Sequence, residues 1–210
     1  YQCCSNQTTS QSGLHLVIIG GGSAAFAAIL KASELGASVT MINDGLPMGG
    51  TCVNVGCVPS KTLIRAAESH YHAAHPRFAG IDSQSWVPDF HAIVAQKQEL
   101  VNELRQAKYG NVISDIPHFR YCKGMAHLET PNTVVVNGER IHADRILIAT
   151  GASSFIPSIP GLEESNFLTN ETAFDLEKIP ESLLVLGGRY IALECAQMFS
   201  RFGSQVTVLQ

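Results

Sequence analysis

Residues Gly20–Asn43 read GGGSAAFAAILKASELGASVTMIN, and residues Gly187–Gln210 read GGRYIALECAQMFSRFGSQVTVLQ. Both stretches are 24 residues long, and each follows an apolar run, Leu14–Ile19 in the first and Leu183–Leu186 in the second. Each opens on Gly-Gly, has Ala at its sixth position (Ala25, Ala192), carries a later glycine (Gly36, Gly203) and then runs into Val-Thr. A short apolar run that ends in glycine suits a strand buried on both faces of a parallel sheet. Ser23–Leu35 is Ala-rich with Phe26, Ile29 and Leu30, a helical composition, and Gly36 suits a left-handed C-cap. Val39–Ile42 returns to strand. The chain therefore holds one strand–turn–helix–strand unit written twice. That predicts an α/β fold, with a Rossmann-like domain followed by the start of a second one.

Outward from these copies, Val58–Ala74 reads as a helix with Pro59 in its first turn, where the missing N–H costs little. A second helix over His91–Lys108 directs Val94, Leu100, Val101 and Leu104 inward and Gln96, Glu99, Glu103 and Gln106 outward. The period then changes. Thr133–Val136 is β-branched, Asn137-Gly138 is a strong hairpin signal, and Ile146–Ala149 is another strand. Pro157, Pro160 and Gly161 mark a connector. The boundaries read from this pattern are a polar, flexible tail over 1–13, a first nucleotide domain over 14–155, a connector over 156–182, and the beginning of a second nucleotide domain over 183–210.

The 210 residues are 45% hydrophobic and 15% charged, which describes a globular chain. A net charge of −4 offers no electrostatic footprint for nucleic acid. Residues 1–30 hold no Asp, Glu, Lys or Arg, yet the apolar run lacks a positive flank and is broken by Gly20, Gly21 and Gly22. A membrane helix would need ~20 uninterrupted apolar residues. The reading is cytoplasmic. The six cysteines are unevenly spaced: Cys3-Cys4, Cys52 with Cys57, then Cys122 and Cys195 alone. In that compartment a close pair is more often catalytic or metal-binding than structural.

The first copy carries Gly20-x-Gly22-x-x-Ala25. Gly20 makes the tight turn, Gly22 lets a pyrophosphate approach the backbone, and small Ala25 lets helix and strand pack closely. The helix N-terminus receives the phosphate charge. Two copies imply two dinucleotide cofactors, with Gly187 opening the second turn. Asn43 stands where Asp or Glu would hold a ribose hydroxyl pair, and it can hydrogen-bond without charge. In the second copy Arg189 replaces the second glycine and could contact phosphate directly. The last position, Gln210, is neutral, which removes repulsion against a 2′-phosphate and leans towards NADPH.

Between the copies lies Gly49-Gly50-Thr51-Cys52-Val53-Asn54-Val55-Gly56-Cys57-Val58-Pro59-Ser60-Lys61. Residues five apart on a straight helix are separated by ~7.5 Å of rise, beyond the ~7 Å reach of a disulfide. Cooperation of Cys52 and Cys57 therefore requires a distorted turn, for which Gly56 supplies freedom. Cys57, opening a helix, is expected to have a lowered thiolate pKa. A redox-active dithiol fits better than zinc, which needs two more close ligands. His70, His72 and His75 read as a solvated helix face. Cys122 and Cys195 sit in apolar contexts as buried fillers. Cys3-Cys4 could relay a soft metal or be a linker remnant.

From Leu14 onward the chain resembles the pyridine nucleotide–disulfide oxidoreductases. The resemblance rests on the Gly49–Lys61 block and on Ala149-Thr150-Gly151 between a strand and a proline-rich connector. It implies that the first copy binds FAD and the second NADPH. It also implies that Ala25, Gly45, Gly50, Thr51, Lys61, Ala126, Thr150 and Gly151 serve the flavin nucleotide. Cys57 would face the flavin ring and Cys52 would be the more exposed thiol. Lys61 would stand near the reactive flavin nitrogen, with Glu194 as its carboxylate partner. Within the family, Cys-Val-Asn-Val-Gly-Cys and Glu103–Tyr109 are most similar to the branch that reduces Hg²⁺, where Tyr109 would sit by the metal site. Soft thiolates suit that ion, taken up as a thiol complex on Cys52 and Cys57. Tyr109 can equally be read as a helix-end aromatic packed on the core.

The resemblance further implies a homodimer and segments beyond Gln210: the rest of the NADPH domain, a flavin-domain return and a dimerisation domain. Two other readings stay open at this point. One is the same machine acting on an organic disulfide of lipoamide or glutathione type. The other is a thiol-based metal-binding module without turnover, against which the paired nucleotide units speak.

Overall fold

The computed structural model describes residues 13–210, so the tail reading and Cys3-Cys4 lie outside the described residues. In chain order the elements are β1 (His15–Ile19), α1 (Ser23–Glu34), β2 (Ser38–Asn43), α2 (Gly50–Asn54), α3 (Cys57–Ala74) and α4 (Phe90–Arg105). A π-helical turn (Gln106–Gly110) and α5 (Asn111–Ser114) lead into β3 (Phe119–Lys123), β4 (His127–Thr130), β5 (Thr133–Val136), β6 (Glu139–His142) and β7 (Arg145–Ile148). Then come α6 (Asn170–Ala173), β8 (Ser182–Leu186), α7 (Tyr190–Arg201) and β9 (Gln205–Leu209). The chain divides into two compact units. The first holds residues up to 54 with 104–153, and the second holds 55–103 with 154–210.

The first unit is built on a parallel sheet of order β3-β2-β1-β7, the order of a dinucleotide-binding half. The apolar β1 needs two covered faces, and it has them. Ile18 points to one side, where Phe26 and Ile29 of α1 pack with Val39 and Met41. Val17 points to the other, where Ile42 and Cys122 meet Val134, Val136 and Ile141. Those last residues belong to an antiparallel meander, β4-β5-β6. Asn137 (φ 51°) and Gly138 (φ 82°) turn β5 into β6 with both central residues left-handed, the hairpin geometry expected of Asn-Gly.

The second unit repeats the first motif on a smaller scale. Each residue of the second copy follows its counterpart by 167 positions, as Gly187 follows Gly20. At that offset the backbone bonds coincide: Gly20 N–H to Ile42 O and Gly187 N–H to Leu209 O, Ala37 N–H to Ala32 O and Ser204 N–H to Phe199 O. The strand registers coincide as well, His15 with Ser38 and Ser182 with Gln205. Around α7, the side chains of Met198, Phe199 and Phe202 form a core with Leu63 and Ala67 of α3 and Phe90 of α4.

Two features of α4 differ from the sequence reading. The α-helix ends at Arg105, and the residues up to Gly110 widen into the π turn. Leu100, expected inward, is exposed, whereas Lys97 is 2% exposed. Lys97 lies on the same stripe as Phe90, Val94 and Val101, so the helix presents it inward whatever its charge. Its Nζ donates to Asp175 Oδ1 at 2.5 Å, and Asp175 is mostly exposed. Removing only the carboxylate leaves a buried cation, while removing the cation leaves a hydrated carboxylate. Asp175→Asn is expected to cost about 1–3 kcal/mol and Lys97→Met to stay within about 1 kcal/mol of the parent. Urea unfolding midpoints test this, and a larger loss in Lys97→Met would refute it.

Candidate functional site

In open α/β sheets, ligands bind beyond the carboxyl ends of the strands. The first unit places most of its expected cofactor residues there. Gly20 and Gly22 follow β1, Asn43 and Gly45 end β2, Ala126 follows β3, and Thr150 and Gly151 follow β7. Gly20 has φ +121°, and a Cβ on it would stand 2.1 Å from the Ala149 carbonyl oxygen, so glycine is obligatory. Gly22 caps α1 in an extended conformation with no side-chain cap, which leaves the first-turn N–H groups open for an anion. Ala25 is fully buried, as close packing requires.

A second glycine turn closes on the first. Gly49 donates its N–H to Gly21 O at 2.8 Å and forms a parallel bridge with Gly22. A Cβ on Gly50 (φ +61°) would lie 2.7 Å from Gly22 Cα. The result is a cradle walled by backbone, fitted to a phosphate chain that must come close to N–H groups. Asn43 folds over Gly21, with its Oδ1 2.7 Å from where a Cβ would stand, and donates Nδ2–H to Leu46 O at 3.0 Å. Thr51 and Cys52 are exposed on α2.

Tyr109 lies in the π turn, a geometry frequent at functional sites. Its ring meets Phe26 edge-on (centroids 4.7 Å, 82°) and covers Gly49, where a Cβ would be 2.8 Å from Cε2. The packing role is therefore present in the structure. Asn54 and Arg105 were not singled out from the sequence. Asn54 donates to the carbonyls of Pro47, Met48 and Gly50 and accepts from Arg105 Nε at 2.8 Å. An Asn between two cysteines was the available signal.

The second unit holds the other group. Gly56 (φ −118°, ψ −114°) is outside both the helical and extended regions, so α2 and α3 are separate helices. Cys57 is the exposed first residue of α3. Val55 O accepts from Asn170 Nδ2 at 2.9 Å. Lys61, one turn after Cys57, donates Nζ–H to Glu194 Oε1 at 2.5 Å, joining α3 to α7. Both side chains are more than a third exposed, so the pair adds little to stability. Gly187 (φ +102°) makes the second tight turn, and exposed Arg189 caps α7 in the extended conformation of Gly22. Cys122 is fully buried in the first unit, as the filler reading expected. Cys195 is half-buried, and burial followed by the charge of Glu194 pushes its thiol up to about 11. Among the described residues no cluster of His, Cys, Asp or Glu could hold a metal ion with three or more ligands. No helix of the described residues is long and apolar enough to cross a membrane.

The profile of the family described as "Pyridine nucleotide-disulphide oxidoreductase" matches residues 14–210. The mercuric reductase of Bacillus cereus is 47% identical over 194 residues, covering 92% of this chain and 30% of that protein. That of Shigella flexneri is 45% identical over 97% of this chain and 37% of its own length. The chain thus spans about a third of these relatives. Among solved structures, the HOCl-induced flavoprotein disulfide reductase RclA of Escherichia coli matches with a TM-score of 0.80 and 33% identity, covering 93% of this chain and 42% of that one.

A thiol pushed up to about 11 is almost wholly protonated at pH 8, with about one Cys195 in a thousand as thiolate. Iodoacetamide at pH 8 is expected to label Cys57 and leave Cys195 unmodified until unfolding. Peptide mapping that finds Cys195 labelled as fast as Cys57 would contradict the packing described around α7.

Proposed function

The chain belongs to the pyridine nucleotide–disulphide oxidoreductases, and on that premise we propose that the protein is a flavoenzyme that uses NADPH to reduce Hg²⁺ to Hg⁰ through Cys52 and Cys57. The observation that carries the reading is Cys57 at the first turn of α3, with Lys61 one turn on, in a chain 41–47% identical to mercuric reductases. Members of this family use FAD and NADPH. FAD, when bound, would supply a relay that accepts two electrons as hydride and passes them on to the Hg²⁺ held by the thiol pair.

The residues suited to FAD are Gly20, Gly22, Ala25, Asn43, Gly45, Gly50, Thr51, Ala126, Thr150 and Gly151, with Lys61 towards the flavin ring. Those suited to NADPH are Gly187 and Arg189. The corresponding division is a flavin domain over 14–155, a connector over 156–182 and the opening of the NADPH domain over 183–210. The same reading carries a homodimer, a cytoplasmic location, and no nucleic-acid or membrane partner.

In the reaction, Cys52 and Cys57 hold Hg²⁺ as soft thiolate ligands. The Cys57 sulfur stands at the first turn of α3. Glu194 fixes the Lys61 ammonium, which keeps positive charge one turn from that sulfur. Tyr109, its ring held by Phe26 and Gly49, offers a phenol oxygen to the metal. Two electrons leave NADPH as hydride, Hg²⁺ takes both, NADP⁺ and a proton depart, and both thiols are regenerated. A second reading, reduction of an organic disulfide, draws on the likeness to RclA.

The full-length protein is expected to oxidise NADPH in the presence of Hg²⁺ and to lose that activity in Cys57→Ser. Tyr109→Phe keeps the ring, so its stability should change by less than ~1.5 kcal/mol. Its turnover with Hg²⁺ should fall at least about tenfold, a loss of ~1.4 kcal/mol of transition-state stabilisation, while flavin reduction by NADPH stays at the parent rate. Stopped-flow measurement of both half-reactions decides. Rapid reduction of lipoamide or glutathione disulfide, with no Hg²⁺-dependent oxidation, would favour the second reading.

A further inference from the structure

We propose that Asn54 and Arg105 are positioning residues that lock the Pro47–Gly50 turn, and with it the helix carrying Thr51 and Cys52, against the glycine cradle. Asn54 closes α2, and the two hydrogens of its Nδ2 group are shared among the carbonyls of Gly50 (2.8 Å), Pro47 (3.0 Å) and, in the longest contact, Met48 (3.3 Å). Its Oδ1 accepts from Arg105 Nε at 2.8 Å, which fixes which way the amide faces. Both side chains are half-buried.

The Met48–Gly49 peptide shows why this matters. A trans peptide is planar, and its C=O and N–H point in opposite directions. Asn54 holds the C=O of this plane, and the N–H on its other edge donates to Gly21 O at 2.8 Å. One rigid plane therefore connects the Asn54 amide to the middle of the Gly20–Gly22 turn. Arg105 adds a second connection. It immediately precedes the π turn, whose Tyr109 ring covers Gly49, the other residue of that plane. The turn is thus gripped from α2 and from the end of α4, and both grips lead to the same glycine. Gly50 and Thr51, next in the chain, begin the helix in which Cys52 sits two residues before Asn54.

This inference rests on the flavin-and-thiol reading above, since it concerns how well the cradle and Cys52 are held for that chemistry. In the full-length protein, Asn54→Ala is expected to raise the FAD dissociation constant at least about fivefold, the worth of one net hydrogen bond. The rate of Cys52 alkylation by iodoacetamide, read by peptide mapping, is expected to change at least about threefold, while KM for NADPH stays within about twofold. Asn54→Asp discriminates between roles. It keeps an oxygen for Arg105 but removes the N–H donors and sets a carboxylate among carbonyls. A positioning role predicts that Asp fails like Ala, whereas simple anchoring to Arg105 predicts that Asp rescues. Arg105→Met, which keeps the aliphatic stem, should move FAD affinity and Cys52 labelling in the same direction as Asn54→Ala. Parental FAD affinity and Cys52 labelling in Asn54→Asp would overturn the proposal. If the Asn54 variants do not fold, parental values of both in Arg105→Met would overturn it equally. A parent protein that binds no FAD would overturn the functional reading, and the Cys52 labelling rates would then judge the positioning role alone.

Discussion

A side-chain carbon at residue 20 would sit 2.1 Å from the carbonyl oxygen of Ala149, closer than any packing tolerates. That contact is between the carboxyl ends of two adjacent parallel strands, β1 and β7, joined there by Ala149 N–H to Ile19 O at 2.8 Å. Everything at the ligand-facing edge of the first unit follows from it. Gly20 turns in a conformation open to glycine (φ +121°), and α1 begins three residues later at Ser23. Its uncapped N-terminus stands beyond the strand ends, and the Gly49-Gly50 turn reaches across to it. The sheet supplies rigidity, and the glycines let backbone approach backbone in the cradle, with the Asn43 amide and the Tyr109 ring over its edges.

Much of this was legible because periodic and glycine signals act locally. The run Leu14–Ile19 is apolar without interruption because α1 covers one face and the β4-β5-β6 meander covers the other. Asn137-Gly138 makes its hairpin because both residues tolerate positive φ. The doubling of the nucleotide motif was visible for the same reason. Each glycine and small residue answers a local steric demand that recurs 167 residues later, down to individual hydrogen bonds.

What the sequence did not disclose depends on partners distant in the chain. Lys97 reads as a surface residue by type, yet its position on the α4 stripe buries it, and the carboxylate that receives it, Asp175, is 78 residues away. Asn54 reads as a spacer between cysteines until Arg105, 51 residues on, and three carbonyls close round it. The widening of the helix end into a π turn has no composition signal of its own. It is visible only once Tyr109 is seen against Phe26 and Gly49. Polar residues whose role is to hold backbone in place carry no periodicity, so pattern reading passes over them.

The two copies also separate what the fold demands from what a ligand demands. Gly22 and Arg189 are equivalent, and their backbones are nearly the same: φ −91°, ψ −170° and φ −84°, ψ 173°. An ordinary residue adopts that conformation freely. A Cβ on Gly22 would find its nearest neighbour, Gly50 Cα, at 3.7 Å, which is normal contact. Unlike Gly20, then, Gly22 is not required by the chain's own packing. Its lack of a side chain leaves the backbone bare at the first turn of α1. The second copy carries Arg189 there, a fixed cation with a fork of donors that suits a further anionic group. One framework thus carries two different faces, bare backbone in the first copy and an exposed cationic side chain in the second.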